Sequence, residues 1–204
     1  MTKDARAEMD VSRETTARLE AFVDLLRKWN EKINLVGKST LSDMWTRHIE
    51  DSLQLLPHVG AAHRILDLGS GGGLPAIPMA IALADSGGDH TVTLVESDRR
   101  KAEFLRTAIR TLSLNASVSS ARIEDIPPQN AELCTARALA PCQKLFDLAH
   151  RHLGDGGRCL FLKGASAKDE VSAAQATWSF SHKAHPSLTD PAATLLEVRN
   201  LAPL

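Results

Sequence analysis

The stretch "ILDLGSGGGLP", Ile65 to Pro75, sets four glycines directly behind a short apolar run that carries an aspartate near its end. The apolar part, Arg64 to Leu68, reads as a strand, and Ala76 to Ala84 behind the glycines reads as a helix. Bare backbone at a strand-to-helix turn lets a ligand approach closely, and four glycines cost backbone entropy that an idle turn would not offset. A phosphate-binding P-loop needs Lys followed by Ser or Thr at the end of its loop. The corresponding segment here, "GLPAIPM", holds no basic residue. A dinucleotide loop is nearer. Gly69-Ser70-Gly71 opens a G-x-G, but Leu74 stands at the third glycine, while Gly71, Gly73 and Ala76 formally satisfy G-x-G-x-x-A with Pro75 set for a first helical turn.

Two carboxylates weigh between the remaining ligands. Asp67 sits at the end of the first strand, where a pyrophosphate is repelled and an amino group or sulfonium is welcome. Glu96 ends the next strand, "TVTLVES", one helix and one strand later, as a βαβ unit demands. A carboxylate there accepts from both hydroxyls of a ribose. S-adenosylmethionine meets all of this: its carboxylate suits the N–H groups of Gly69 to Gly73, its cations suit the acids, and its ribose suits Glu96. A nicotinamide or flavin nucleotide remains the alternative at this point, and a ligand-free glycine turn the blandest one.

Working outward, the apolar residues Leu19, Phe22, Val23, Leu25, Leu26, Trp29 and Ile33 fit one amphipathic helix from Ser12 to about Leu35. A second helix is expected from Leu41 to Leu56, ending at Pro57. Residues 1–60 thus form a helical extension ahead of a core spanning 61–204. Beyond the loop come the helix "DRRKAEFLRTAIRTLSL", a short strand at Ala116–Ser119, a weaker strand "ELCTARAL", a helix from Pro141 to Leu153, a glycine turn "GDGG" and the strand "RCLFLK". "TWSFSHKAH" and "ATLLEVRNL" fit an antiparallel hairpin at the sheet edge. The alternation of strand and helix makes this an α/β fold with a mostly parallel sheet covered on both faces.

The 204 residues suffice for one well-packed domain, and 43% apolar content is ordinary for a globular chain. No apolar run approaches the ~20 residues of a membrane span. The polar opening "MTKDARAEMD" lacks a signal-peptide core, so a cytoplasmic location is expected. Cys134, Cys142 and Cys159 have no metal spacing, and their odd number argues against a disulfide framework. The remaining histidines, His58 and His185 among them, form no metal pattern in sequence, so no metal is expected. A net charge of −1 gives no sign of a strongly polyelectrolyte-binding chain, though net charge says little about a local patch. Positives nevertheless gather locally, with Arg99, Arg100, Lys101, Arg106, Arg110 and Arg122 against the single acid Glu103. That is enough field to meet a phosphate backbone, and it is also what a solvated helix face looks like.

The ordered set "WNEKINLVG", "RHIEDSL", "ILDLGSGGGLPAIPMAI", "LVESDRRKAEFLR", "ARIED", "TARAL" and "FLKG" closely resembles one family, over roughly Leu19 to Val198. It is similar to the bacterial 16S ribosomal RNA guanine-N7 methyltransferases, RsmG or GidB. The resemblance implies a class I S-adenosylmethionine-dependent fold, Rossmann-like, with a seven-stranded sheet. It also implies methylation of N7 of the guanine at position 527. Carried over by motif, the donor contacts are Gly69 and Leu74 in the loop, the Ile123–Glu124 pair, and Arg137 in "TARAL". Gly71 and Glu96 fit the general class I site.

Guanine N7 offers an in-plane lone pair and no proton to remove, so no general base and no catalytic acid–base pair is assigned. RNA contacts are expected from Lys28, Lys32, Arg47, Arg99, Arg100, Arg106 and Lys163, positioning the backbone rather than reading sequence. In "RHIEDS", Arg47, His48, Asp51 and Ser52 either buttress the donor loop or line the RNA approach, with His48 read as a structural residue. The expected partner is 16S RNA within the small subunit or an assembly intermediate, and the expected state is a monomer. The rival readings are a methyltransferase of another RNA, a protein or a small molecule, a non-catalytic nucleotide-binding module, and a structural ribosome-associated protein.

Overall fold

The computed structural model describes residues 11–85 and 87–204. Its strands are β1 (Arg64–Leu68), β2 (Thr91–Val95), β3 (Ala116–Ser119), β4 (Ala131–Arg137), β5 (Leu153–Lys163), β6 (Trp178–Pro186) and β7 (Thr194–Pro203). They form one sheet in the order β3-β2-β1-β4-β5-β7-β6. The first five run parallel, and β7 lies antiparallel between β5 and β6. The edge hairpin and the parallel core are those the pattern of residues implied.

The helices are α1 (Arg13–Asn30), α2 (Asp51–Leu53), α3 (Ala76–Asp85), α4 (Arg99–Thr111), α5 (Cys142–His150) and α6 (Ala167–Ala174). Strand alternation divides the core in two. Ile65 faces a cluster built with Leu19, Phe22 and Leu26 of α1, Ile77 and Ile81 of α3, and Phe104 and Leu105 of α4. Leu66 and Leu68 face the other cluster, with Leu145 and Phe146 of α5 and Val171 of α6. The extension is anchored by aromatic contact: Phe22 and Trp29 lie 6.4 and 5.7 Å from the Phe104 ring. Among the described residues no helix is long and apolar enough to cross a membrane.

Four details depart from the sequence reading. Helix α1 stops at Asn30 because the Asn30 Oδ1 accepts from the N–H groups of Leu35 and Val36 at 2.8 and 3.0 Å, folding the chain into a turn. The single helix expected from Leu41 to Leu56 is instead a 3₁₀ turn (Lys38–Asp43), a wide π turn (Trp45–Glu50) and the short α2. Side chains compete with its ladder: Ser52 Oγ donates to His48 O, and Arg137 takes the carbonyl of Arg47 at 3.1 Å. The "GDGG" segment is not a turn before a strand; it bulges within β5, where Ala131 pairs with Leu153 and Leu133 with Arg158. Helix α6 was not expected, because its eight residues "AKDEVSAA" offer one sizeable apolar side chain, Val171.

Cys134, Cys142 and Cys159 are free and buried. Folding also brings His58, His185 and Glu197 to within 4.8 Å of one another, a juxtaposition that no spacing could reveal. Glu197 is already engaged there by Arg199 Nε at 2.7 Å.

Candidate active site

Strand order reverses between β1 and β4, and the carboxyl ends of β1, β2 and β4 open a cleft of about 360 Å³ at that point. The glycine loop forms its floor. Gly69 holds φ 65°, a conformation strained for any side chain, and a Cβ there would stand 2.5 Å from Leu139 Cδ1 and push that side chain aside. Gly73, at φ 77°, would collide with Ile77 at 2.6 Å. The loop is clipped to the sheet by Ser70 N–H donating to Val95 O at 3.0 Å and closed by Gly73 N–H donating to Ser70 O at 2.7 Å.

Glu96, at the tip of β2, is almost wholly buried and aimed across this loop. Its Oε2 accepts from Gly71 N–H at 2.8 Å and its Oε1 from Asp98 N–H at 2.7 Å. Each oxygen keeps a further lone pair, so the carboxylate is oriented in advance for a pair of hydroxyls. Ile123 and Glu124, in a 3₁₀ turn after β3, form the opposite wall. The end of α5 holds that turn. His152 donates from Nε2 to Ile123 O at 3.1 Å, and Arg151 reaches the carbonyls of Glu124 and Ile126. Burial pushes the His152 pKa down, which keeps the ring neutral. Sequence reading missed these two supporting residues, and it also missed Ser97, Ala121 and Leu139 on the cleft wall.

The proposed donor residues therefore separate. Gly69, Gly71, Glu96, Ile123 and Glu124 line the cleft together. Leu74 is buried in the core shared by α3 and α4. Asp67 is fully buried behind the loop. Its Oδ1 accepts from Thr135 Oγ1 at 2.7 Å, Oδ2 has no partner, and burial pushes its pKa up to about 7. Arg137 turns away from the donor cleft into a second one, of about 280 Å³, at the ends of β4 and β5. The two clefts meet at Ala138, a left-handed residue (φ 51°) that lines both.

In the second cleft, Arg137 is the centre of a network. Its Nη1 donates to Asp51 Oδ2 at 2.9 Å and to Arg47 O, and its Nη2 donates to His48 Nδ1 at 2.8 Å. Since a guanidinium cannot accept, His48 Nδ1 is the acceptor and Nε2–H donates to Thr40 Oγ1 at 2.8 Å. Burial, and then the Arg137 charge, lower the His48 pKa to about 4, so the ring is neutral and structural. Lys163 lines the same cleft, but its ammonium is held by Glu170 at 2.6 Å and by Ala140 O at 2.8 Å. Arg47 stays exposed at the rim, its guanidinium paired among the described residues with Asp190 at 3.1 Å. Lys28, Lys32, Arg99, Arg100 and Arg106 are all exposed, on α1 and the turn after it and on the neighbouring α4.

The donor cleft suits a ligand with a ribose diol and no phosphate. It has a preset carboxylate, Glu96, and an apolar wall of Ile123 and Leu139; Lys101 and Arg122 also line it, but its glycine loop carries no lysine. A seven-stranded α/β fold with that cleft defines a class I S-adenosylmethionine-dependent methyltransferase. Solved structures agree on the fold. An O-methyltransferase from Bacillus cereus in complex with SAH superposes with a TM-score of 0.62 at 15% identity, covering 96% of this chain and 94% of that one. A SAM-dependent methyltransferase from Aquifex aeolicus gives 0.59 at 12% identity, over 88% and 97%. Residues 15–196 match the family profile GidB, rRNA small subunit methyltransferase G. A protein named ribosomal RNA small subunit methyltransferase G from Cereibacter sphaeroides is 50% identical over 95% of this chain and 94% of its own length. Its namesake from Brucella ovis is 49% identical over 94% and 90%. The chain belongs to this family.

Proposed function

We propose that the protein transfers the methyl group of S-adenosylmethionine to N7 of one guanine in the RNA of the small ribosomal subunit, the guanine at position 527. The observation that carries this reading is the pair of clefts meeting at Ala138, one shaped for the donor and one open and rimmed by Arg47. The names borne by its relatives point to the same substrate. Residues 1–60 serve as the extension and 61–204 as the transferase core; the chain works as a monomer in the cytoplasm.

When bound, the donor supplies an electrophilic methyl on sulfur; the N7 lone pair forms the new N–C bond as the S–C bond breaks, and the positive charge passes to the purine with no proton to move. The chain's part is positional. Glu96 holds the ribose, Ile123 packs on the adenine and the glycine loop, its Gly71 amide held by Glu96, faces the carboxylate end. Arg137 ties the extension to the end of β4 and so fixes the wall of the second cleft. Lys28, Lys32, Arg47, Arg99, Arg100 and Arg106 meet RNA phosphates, while Lys163, already paired, braces the cleft.

The test is transfer of labelled methyl to small subunits that lack their modifications, followed by mapping of the labelled base. Label confined to N7 of that guanine is expected. Label on another nucleotide or on protein overturns the assignment.

A further inference from the structure

The second cleft is roofed by the segment 187–193 between β6 and β7, which no sequence motif singled out. This loop is bound firmly to the extension. Leu188 N–H donates to Gln54 Oε1 at 3.0 Å, and Thr189 Oγ1 donates to Asp51 Oδ1 at 2.8 Å. Internally, Ser187 N–H donates to Ala193 O at 3.2 Å and Ala193 N–H to Asp190 O at 2.9 Å. Within this anchored loop the Leu188 side chain is 82% exposed. The one comparable case among the described residues is the final residue, Leu204.

The cleft also sorts its carboxylates. Asp51 is spent, since Oδ1 accepts from Gln54 and Thr189 and Oδ2 from Arg137. Asp190 is not. Among the described residues its Oδ1 accepts only from Ala192 N–H at 3.0 Å and its Oδ2 only from the exposed Arg47 at 3.1 Å, so each oxygen keeps a lone pair at the cleft it lines. Those same two donors hold its pKa below the ordinary carboxylate range, so it is charged at neutral pH.

Resting on the guanine reading above, we propose that the 187–193 loop extracts and reads the target base: Asp190 accepts from guanine N1–H and N2–H, and Leu188 fills the place the base leaves in the strand. The geometry of the purine fits this division. With N7 directed at the junction by Ala138, the N1 and N2 edge points away from the donor, into the cleft that Asp190 also lines. Two side-by-side acceptors match the two guanine donors, whereas adenine presents a lone pair at N1 and is repelled. An apolar side chain beside the pocket mouth offsets the unstacking that extraction costs. Asp190 serves the chemistry too. As the N7–C bond forms and the S–C bond breaks, the purine becomes cationic, and a carboxylate on its N1–H stabilises that charge more than it stabilises the sulfonium across the junction. Arg47, released from Asp190 by the base, turns to a phosphate.

The experiment uses the full chain and small subunits reconstituted with either guanine or inosine at the target position; inosine lacks the N2 amine. Asp190→Asn is expected to lower kcat/KM on guanine subunits about ten- to a hundredfold, with unchanged affinity for S-adenosylhomocysteine. Wild type is expected to lose about tenfold on inosine, and the D190N enzyme to treat the two substrates alike. Leu188→Ala is expected to lower kcat about tenfold while Leu188→Met retains most of it. A D190N enzyme within twofold of wild type, or one whose loss is as large on inosine as on guanine, overturns the reading of the base edge. An L188A enzyme within twofold overturns the wedge. If wild type methylates no guanine of the subunit, the preceding functional proposal itself fails, a result distinct from either variant outcome.

Discussion

Glu96 shows how one side chain can build a site before any ligand arrives. It spends one lone pair on the loop and one on the start of α4, which fixes both oxygens where a diol would lie. Glu96→Gln removes the charge and turns one acceptor into a donor facing Gly71 or Asp98 N–H. The affinity for S-adenosylhomocysteine should fall by about tenfold or more, corresponding to the ~1.5–3 kcal/mol of charge-assisted hydrogen bonds. Calorimetry with the wild-type and variant proteins measures it, and an unchanged Kd would remove Glu96 from the site. This residue was legible in sequence because a strand end after a glycine loop is a fixed place in a βαβ unit. Asp67 was legible as a special residue, but its place was misjudged. It was read as an acid meeting the ligand, and it points instead between β1 and β4, hydrogen-bonded to Thr135.

At the scale of elements, α4 divides its labour by face. Ala102, Phe104, Leu105 and Ala108 pack on the sheet, while Arg99, Arg100 and Arg106 face solvent. Asp98 caps the helix, accepting from the N–H groups of Arg100 and Lys101 at 2.8 and 3.2 Å. The three arginines lie in weak exposed pairs or none, so they are available to phosphates. Replacing all three by Ala should weaken binding to small-subunit RNA and reduce its salt slope by up to about 3, leaving donor affinity intact. A filter-binding titration over a range of salt concentrations tests this; an unchanged slope would place the RNA elsewhere. Such a stripe is readable from 3.6-residue periodicity. The broken helix between Lys38 and Leu53 was not, because Arg137, distant in sequence, competes for its carbonyls.

At the scale of the whole molecule, two of the buried groups, Asp67 and His48, titrate with opposite sign. Asp67 has a folded pKa of about 7, above its ordinary 3.8, so the folded state holds the proton longer. Stability from this residue falls as pH rises from about 4 to about 7 and is level beyond. His48 has a folded pKa of about 4, below its ordinary 6.5, so the unfolded chain takes the proton first. Its contribution is complete above about pH 6.5 and is lost as pH falls toward 4. Asp67→Asn should therefore make the stability profile rise more steeply with pH over that window, and His48→Gln should flatten or reverse it. Urea midpoints measured across the window read this directly, and equal changes in both variants would contradict it.

The succession of strands and helices, the donor loop and the place of Glu96 at a strand end were determined by the sequence itself. Apolar alternation, glycine placement and strand-end acids act over a few residues, and the parallel βαβ connections leave little freedom in how they assemble. The second cleft was decided only in three dimensions. Arg137 from β4, His48 and Asp51 from the extension, and Thr189 and Asp190 from a loop near the end of the chain meet there through side-chain hydrogen bonds. Those bonds follow from the packing of α1 and the hairpin against the sheet, and no local pattern encodes a partner 86 or 138 residues away.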